Sequence, residues 1–374
     1  MNAKRFDNII IFGAGGIGKD IYQFLKKNEA NVVAIIDGDE KKQGEFIDNI
    51  KIQSLLRIKS LNKDEIILIA SNIYSNEMRL ELEDMGFVYK RDFMYYMEAI
   101  PLYMWKLKKQ LWINKTDVML TFRCTLRCKH CGLFIPYCKR KVDRGFDDIK
   151  RDIDLYFQIV DGVRELSLLG GEPFLNSEIG RIISYIGERY RSRIMTLQII
   201  TNATVPISIE ILSLIKKYNI QIAISDYSLI LPNLLLKIKQ LTDALEYLQI
   251  LYEKLPMNKW VDLGSIGYKN NLNTEKLCMM FNLCKSQCRG LYHGRFYYCS
   301  IGLAAINSGQ CETKDDGYIL LEGMQGTVAE KEALLNFDLG QLPKGYIDHC
   351  KYCKGQPSIN HEYVIAAVQI GMDM

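Results

Sequence analysis

Three cysteines fall within eight residues in the segment Thr-Phe-Arg-Cys-Thr-Leu-Arg-Cys-Lys-His-Cys, which runs from Thr121 to Cys131. Their spacing is CxxxCxxC, and thiolates are the ligands that iron–sulfur clusters use. Three ligands for four irons leave one iron open to bind a further molecule, whereas a fully ligated cluster only passes electrons. Zinc is the alternative, because it also binds closely spaced cysteines. Cys124, Cys128 and Cys131 are therefore candidate ligands of a 4Fe-4S cluster.

A second motif, Leu-Leu-Gly-Gly-Glu-Pro, stands at the end of the next predicted strand and runs from Leu168 to Pro173. Gly170 and Gly171 permit close backbone approach, and Glu172 supplies a negative acceptor for an ammonium group. Alone, the motif is more typical of a simple strand-to-helix turn. Together with the cysteine set it resembles the signature of the radical S-adenosylmethionine (SAM) superfamily.

That resemblance implies a partial (β/α)6 barrel in which the open iron chelates the amino and carboxylate groups of SAM. It also places the glycine motif, Gly170 to Pro173, beside the methionine amino group, so that Gly170, Gly171, Glu172 and Pro173 bind the cofactor. His130 stands where the family often has an aromatic residue whose backbone contacts the SAM adenine.

Polar residues end the next two predicted strands, at Thr201-Asn202 and Ser225-Asp226. Sites in barrels are built at this edge. The resemblance implies that Asn202 and Asp226 contact the SAM ribose or the substrate. Polar strand ends that only satisfy backbone groups are the alternative.

The last hundred residues carry a further set of cysteines around Gly294, which precedes Cys299 by four intervening residues, and a distant CxxC at Cys350 and Cys353. This arrangement resembles the auxiliary-cluster module called SPASM, and more closely its shortened form, twitch. The resemblance implies a second 4Fe-4S cluster, an electron relay, held by Cys288, Cys299, Cys350 and Cys353. Cys284 or Cys278 could replace Cys288, and a structural zinc site is the alternative.

The N-terminal segment Ile-Phe-Gly-Ala-Gly-Gly-Ile-Gly, from Ile11 to Gly18, follows a predicted strand and opens a predicted helix. A dinucleotide fingerprint requires this context, and it makes Gly13, Gly15, Gly18 and Asp37 candidate nucleotide-binding residues. The same glycines also allow tight strand–helix packing with no ligand. The region resembles the N-terminal domain of sugar O- and N-acyltransferases, where a Rossmann-like fold need not hold NAD, so we favour a nucleotide or nucleotide-sugar over NAD.

The alternation of short apolar runs with helical patterns predicts an α/β protein in several parts. The boundaries that the pattern indicates are a Rossmann-like parallel sheet over 1–100, a connector helix over 101–116, the partial barrel over 117–270 and a small Cys-rich auxiliary-cluster module over 271–374. The connector pattern interleaves Trp105 and Trp112 with Lys106, Lys108, Lys109 and Lys115.

Composition narrows the function classes. A net charge of +4 is too weak to indicate a nucleic-acid partner, and no apolar run is long enough for a membrane span. Eleven cysteines without a signal-peptide pattern favour metal or catalytic use in the cytoplasm. The basic run Lys139 to Lys141 suits either an anionic substrate or, as for most charge runs, solvent.

These observations predict a radical SAM oxidoreductase or isomerase-type enzyme. We expect it to cleave SAM to a 5′-deoxyadenosyl radical and to oxidise, epimerise or deoxygenate a sugar or nucleotide-linked sugar, with a flavodoxin- or ferredoxin-type protein as electron donor. A maturase of a ribosomally made peptide is the alternative enzyme, and an iron–sulfur nucleotide-binding redox sensor is the alternative of another class. The sequence identifies no catalytic acid or base.

Overall fold

The computed structural model describes residues 6–371 except 73, 265, 285–287, 312–316 and 358. It divides into two compact units, Met1–Gln110 and Leu111–Met374. Within the described residues, no helix combines the length and the apolar character needed to cross a bilayer.

The first unit is built on a parallel sheet whose strands are short apolar runs. The strand order is β3-β4-β2-β1-β5-β6, with β3 and β4 antiparallel and the other pairs parallel. The central strands are buried, so their side chains form the core of the unit. The elements are β1 Asn8–Phe12, α1 Gly16–Lys27, β2 Val32–Ile36, β3 Phe46–Ile47, β4 Ile50–Gln53, β5 Glu65–Ile69, α2 Ser75–Asp84, β6 Phe93–Tyr95 and α3 Tyr96–Tyr103.

The predicted connector helix over 101–116 is wrong in its second half. Helical structure continues from α3 through a π-helical stretch, Met104–Lys108, and stops at Lys109, whose φ of 54° is left-handed. A strand begins at Trp112, because its indole packs over Gly162 of the neighbouring strand, where a Cβ atom would lie 2.5 Å from the ring. Lys115 therefore lies within a strand and pairs with Glu165 at 2.6 Å instead of reaching for solvent.

The second unit begins as a barrel of alternating strands and helices. Five strands run parallel in chain order, which confirms the strands expected near 118–122, 165–169, 196–200 and 221–225. These elements are β7 Trp112–Thr121, α4 Phe146–Ile159, β8 Gly162–Gly170, α5 Ile179–Arg189, β9 Ile194–Thr201, α6 Ile209–Lys217, β10 Gln221–Asp226, α7 Leu235–Tyr247 and β11 Tyr252–Pro256.

The Cys-rich tail is joined to this sheet and does not stand apart from it. Strand β13 pairs with β7 in parallel and so supplies a sixth parallel strand, and β14 and β15 extend the same sheet antiparallel. Strands β12 and β16 form a separate two-stranded sheet. The elements are β12 Lys259–Val261, α8 Thr274–Cys284, β13 Arg289–Tyr292, β14 Arg295–Tyr297, α9 Ser300–Ser308, β15 Tyr318–Leu320, α10 Val328–Asp338 and β16 Tyr363–Ile365.

Candidate active site

The three closely spaced cysteines lie on the loop that leaves β7. All three line one cavity of about 430 Å³ at the carboxyl edge of the barrel strands. The start of the loop is fixed from two sides, because the Arg123 side chain pairs with Asp143 at 2.6 Å and the Arg123 carbonyl accepts the Glu172 N–H at 2.8 Å. The cysteines are thus presented by a loop anchored to the end of the neighbouring strand.

The two glycines of the second motif are required by that anchoring. A Cβ atom on Gly170 would lie 2.3 Å from the carbonyl oxygen of Thr121, and one on Gly171 would lie 2.0 Å from that of Arg123. Both glycines also line the cavity. Their lack of side chains therefore lets β8 end directly against the cysteine loop.

Glu172 is fully buried and braces the ends of β8 and β9. Its carboxylate accepts hydrogen bonds from the Thr201 hydroxyl at 2.8 Å, from the Asn202 N–H at 2.9 Å and from the Phe174 N–H at 3.3 Å. Burial raises the pKa of Glu172 to about 7, against the effect of these donors. The carboxylate does not line the cavity, and Pro173 begins the 3₁₀ turn behind it. An ammonium contact at Glu172 stays a prediction.

Asn202 and His130 line the cavity, as expected for residues at this edge. The Asn202 side-chain amide donates to the Cys124 sulfur at 3.4 Å, and its oxygen accepts the Thr204 N–H at 3.0 Å. His130 is half-buried, and burial lowers its pKa. Asn202 therefore contacts Cys124, a candidate ligand of the cluster, directly.

Asp226 does not line the cavity, in contrast to the expectation from its place at the end of β10. Its neighbours Ser225 and Tyr227 line it instead. Successive side chains of a strand point to opposite faces, so Asp226 points away. There it accepts the Ser228 N–H at 2.9 Å and lies 3.9 Å from the Lys254 ammonium.

The C-terminal cysteines gather differently from the first choice made on spacing. A small cavity of about 30 Å³ is lined by Cys284, Cys299, Cys350 and Cys353. Cys288, the expected ligand, instead lines the cavity of about 430 Å³ that also contains Cys124, Cys128 and Cys131, called the large cavity below. Cys278 faces the Gly345 backbone, where a Cβ atom would lie 2.8 Å from its sulfur. Cys284 lies on helix α8, and this helix places its side chain beside the other three cysteines.

In the first unit, the glycine-rich loop between β1 and α1 serves mainly as packing. A Cβ atom on Gly18 would lie 1.8 Å from the carbonyl oxygen of Gly13, and one on Gly13 would lie 2.9 Å from that of Ala70. At Gly15 nothing lies within 4 Å of the corresponding position. The loop thus has room for a ligand at its tip and none at its base.

Asp37 holds this loop closed. Its carboxylate accepts the Ala14 N–H at 2.7 Å and the Asp39 N–H at 2.9 Å, and it pairs with the Lys42 ammonium at 3.2 Å. Burial opposes its ionisation, but these donors outweigh that effect and keep the pKa of Asp37 below its usual value. The carboxylate is therefore engaged with protein groups at the place where ribose binding was expected.

Comparison with protein families matches residues 118–226 to the radical SAM superfamily. This segment contains the three cysteines, the glycine motif and the ends of β9 and β10. The segment is a radical SAM domain. A second family model, described as C2185-like, N-terminal, matches residues 5–91.

Known proteins resemble separate parts of this chain. The redox-sensing transcriptional repressor Rex of Thermosipho africanus is 33% identical over 72 residues, 19% of this chain and 35% of the repressor. Streptococcus suis SuiB bound to S-adenosylmethionine overlaps at a TM-score of 0.31 and 18% identity, over 42% of this chain and 35% of that chain. The chain thus spans about a third of the length of either relative.

Two further structures overlap more of this chain. BtrN in complex with AdoMet and 2-DOIA overlaps at a TM-score of 0.42 and 14% identity, over 66% of this chain and 94% of that chain. Native anSMEcpe with bound AdoMet overlaps at a TM-score of 0.43 and 10% identity, over 63% of this chain and 83% of that chain. These overlaps are too loose to carry an argument about the substrate.

The thiol set fits the 4Fe-4S cluster that a radical SAM domain binds together with SAM. Burial raises the pKa of Cys124 to about 12 and that of Cys128 to about 11, so these thiols are neutral until a cation favours the thiolates. Iron supplies such a cation. In the part of the chain that the structure describes, no three His, Cys, Asp or Glu side chains converge closely enough for a single metal ion. The irons of a 4Fe-4S cluster occupy separate corners of a cube. Each cysteine binds a different iron, so the three sulfurs need not converge on a single point.

The radical SAM site also contains residues that sequence reasoning missed, all from distant parts of the chain. Trp260 of β12 and Gln356 line the cavity. The segment after β16 pairs with the cysteine loop: the Lys129 N–H donates to the Val368 carbonyl at 2.7 Å, and the Ile370 N–H donates to the Arg127 carbonyl at 2.8 Å. Nothing near these residues in the sequence signals the contact, because it depends on how the tail folds back.

Proposed function

We propose that this radical SAM enzyme cleaves SAM reductively and removes a hydrogen atom from a C–H bond of a sugar or nucleotide-linked sugar, which is thereby oxidised, epimerised or deoxygenated. One observation carries the proposal. The cavity that holds Cys124, Cys128 and Cys131 at its mouth continues to the buried polar residues Asp117 and Ser300. A single space thus joins a cofactor end to a polar end, and its size of about 430 Å³ lies within the range of small-molecule pockets.

The residues at the mouth have separate tasks. Cys124, Cys128 and Cys131 would hold the cluster, and Asn202 would orient the first of these ligands through its amide. Gly170 and Gly171 would let SAM approach the backbone closely. When bound, the cluster and SAM supply a 5′-deoxyadenosyl radical that takes one hydrogen atom from the substrate. The apolar walls, which include Leu169, Ile200 and Leu263, would exclude water from that radical.

The residues of the small cavity fit a second cluster. Four thiols surround it, and the His349 ring beside them is 5% exposed, with no hydrogen-bond partner for either nitrogen among the described residues. A buried imidazole N–H without an acceptor is costly, and cluster sulfur would supply that acceptor. Loss of a hydrogen atom to the adenosyl group, then of one electron to this cluster and one proton to solvent, completes a two-electron oxidation. A flavodoxin- or ferredoxin-type protein would supply the electron for SAM cleavage.

For the first unit we propose a binding site for a nucleotide or nucleotide-sugar at the open tip of the glycine loop, near Gly15 and the start of α1. Helix N-termini favour phosphate. The packing role of Gly13 and Gly18 supports the alternative in which no ligand binds. We also propose the cytoplasm as the location, since eleven free cysteines suit a reducing compartment.

A redox sensor is the second candidate function. The observation that favours it is the similarity of 72 residues to a protein named as a redox-sensing repressor. A sensor would use its clusters to report redox state and would not turn over SAM. Release of 5′-deoxyadenosine in amounts that match methionine separates the two functions.

The test measures iron, acid-labile sulfide and 5′-deoxyadenosine after anaerobic reconstitution. Wild type is compared with a triple variant in which Cys124, Cys128 and Cys131 are alanine, and with Cys138→Ala as the matched control, since Cys138 is buried and lines neither cavity. We expect roughly eight irons in wild type and roughly four in the triple variant, with SAM cleavage lost only there. Wild-type protein that binds iron but releases no 5′-deoxyadenosine would favour the sensor.

A further inference from the structure

Asp117 marks the inner end of the large cavity. It lies on β7, four residues before the strand ends at Thr121, so at about 3.3 Å per residue it sits about 13 Å below the cysteine loop. Its side chain is 3% exposed and lines the cavity together with Ser300 and Cys288. A charged side chain this deep in a barrel calls for a physical reason.

The protein leaves the Asp117 carboxylate open towards the cavity. Ser300 and Cys288 line the same cavity beside it. The carboxylate oxygen Oδ1 is buried and has no hydrogen-bond partner among the described residues. Buried acceptors in folded proteins are nearly always satisfied, so Asp117 Oδ1 calls for a donor inside the cavity, either water or a hydroxyl group of a bound molecule that displaces it.

The charges around Asp117 indicate which kind of donor fits. The Lys115 ammonium pairs with Glu165 at 2.6 Å, and the Arg164 guanidinium lies 3.5 Å from the same carboxylate. Lys115 acts electrostatically on both Glu165 and Asp117, and Arg164 acts on Glu165. Because two cations already face two buried carboxyl groups, an added ammonium would introduce an uncompensated charge, whereas a hydroxyl group would not.

Another part of the cavity wall suits a molecule with both hydroxyl and C–H groups. Trp260 and Tyr227 line the cavity with their ring centroids 5.6 Å apart, edge to face. Aromatic rings offer apolar surface to C–H groups. A polyol presents hydroxyl groups to one side and C–H groups to the other.

We propose that Asp117 Oδ1 accepts a hydrogen bond from a substrate hydroxyl, so that Asp117 and Ser300 form the polyol-binding end of the cavity. The inference rests on the proposed function and narrows its substrate to one that carries a free hydroxyl group. Asp117 holds the substrate below the SAM site, with a C–H bond facing the cofactor end.

The test uses perdeuterated glycerol as the hydroxyl probe and perdeuterated 1,2-dimethoxyethane as a probe of similar size without a donor. Each is added to the reconstituted enzyme with SAM and a reductant. Abstraction from a bound probe breaks its C–D bond and forms a C–D bond at the 5′ carbon of 5′-deoxyadenosine. Mass spectrometry gives the fraction of 5′-deoxyadenosine that carries deuterium, a ratio that does not depend on total turnover.

Wild type, Asp117→Leu, Asp117→Asn and the control Thr116→Val are compared. Leucine keeps the branched shape but removes the acceptor, and asparagine keeps the volume and an acceptor oxygen. The Thr116 hydroxyl forms a hydrogen bond with the Tyr156 hydroxyl at 2.9 Å on the other face of β7. We expect the labelled fraction from glycerol to fall about tenfold in Asp117→Leu, less in Asp117→Asn and not at all in Thr116→Val, with labelling from dimethoxyethane unaffected.

Two results would overturn the inference and are distinguishable from each other. Equal glycerol labelling in wild type and Asp117→Leu, or wild-type labelling no greater from glycerol than from dimethoxyethane, would remove Asp117 from substrate binding and leave SAM cleavage intact. No 5′-deoxyadenosine from wild type would reject the proposed function, and the role of Asp117 with it.

Discussion

The side-chain amide of Gln369 donates a hydrogen bond to the sulfur of Cys128 across 3.4 Å, although 241 residues separate the two in the sequence. The same side chain accepts the Arg127 N–H at 2.6 Å, so it is fixed in place on the cysteine loop. A donor aimed at a ligand sulfur stabilises the more negative, reduced state of a cluster, and hydrogen bonds to the sulfurs are among the factors that set its potential.

Gln369→Leu should therefore shift the midpoint potential of the SAM-binding cluster to a more negative value. An anaerobic redox titration followed by electron paramagnetic resonance measures it. Gln325→Leu is the control, because the exposed Gln325 amide donates to the Gly323 carbonyl at 3.3 Å, away from the cysteines. Identical potentials in wild type and Gln369→Leu would mean that the amide only positions the tail.

Cys284 and Cys288 give the second prediction, because the structure sends them to different cavities. Cys284→Ala should reduce the iron content from roughly eight to roughly four per chain, since the second cluster loses a ligand. Cys288→Ala should leave roughly eight, because this thiol lines the large cavity. Iron and sulfide analysis after reconstitution checks both variants, and the reverse result would restore the choice made on spacing.

The choice between Cys284 and Cys288 as a cluster ligand could not be made from the sequence. Cys284 and Cys288 both precede Gly294 at acceptable distances, so spacing leaves them equivalent. The tertiary structure decides between them, because Cys284 on helix α8 lines the small cavity and Cys288 lines the large one. By contrast, the cysteine loop, the glycine motif and strands β8 and β9 could be predicted, since each rests on a local pattern of apolar runs and turn residues.

Other features could not be predicted because they depend on distant partners. Residues 112–115 match a helical pattern, but pairing with β8 makes them a strand. Asp37 fits a ribose-binding position by spacing, yet Ala14 and Lys42 already occupy its carboxylate. Local signals therefore identified the motifs, and tertiary pairing decided what their side chains contact.

His349 provides a prediction about pH. Burial lowers its pKa to about 4 in the folded protein, below its ordinary value, and the neutral ring is favoured. Stability from this group is therefore fully present above pH about 6.5 and is lost as the pH falls towards 4. Between pH 7 and pH 5, the cluster-free wild type should lose about 2 kcal/mol more unfolding free energy than His349→Leu.

Urea unfolding at the two pH values measures that difference. His361→Leu is the control, because His361 is exposed and its replacement should leave the pH dependence as in wild type. If His349→Leu and wild type lose the same free energy, the ring takes up a proton without cost in the folded state and is not held neutral by burial.

Gly15 and Gly18 separate the packing role of the N-terminal loop from ligand binding. Gly18→Ala places a methyl group 1.8 Å from the Gly13 carbonyl, so we expect a loss of about 1–3 kcal/mol of stability and a lower melting temperature. Gly15→Ala enters open space at a backbone φ of −75° and should melt like wild type.

The two variants are then titrated with NAD and with UDP-glucose by calorimetry. If the loop tip receives a phosphate, Gly15→Ala should weaken binding at unchanged stability, because its methyl group occupies the space beside the start of α1. If wild type binds neither compound, the glycines serve packing alone. The hydrogen bond from the Ala14 N–H to the Asp37 carboxylate would then explain why no dinucleotide binds. It occupies a loop N–H and the carboxylate that a dinucleotide would need.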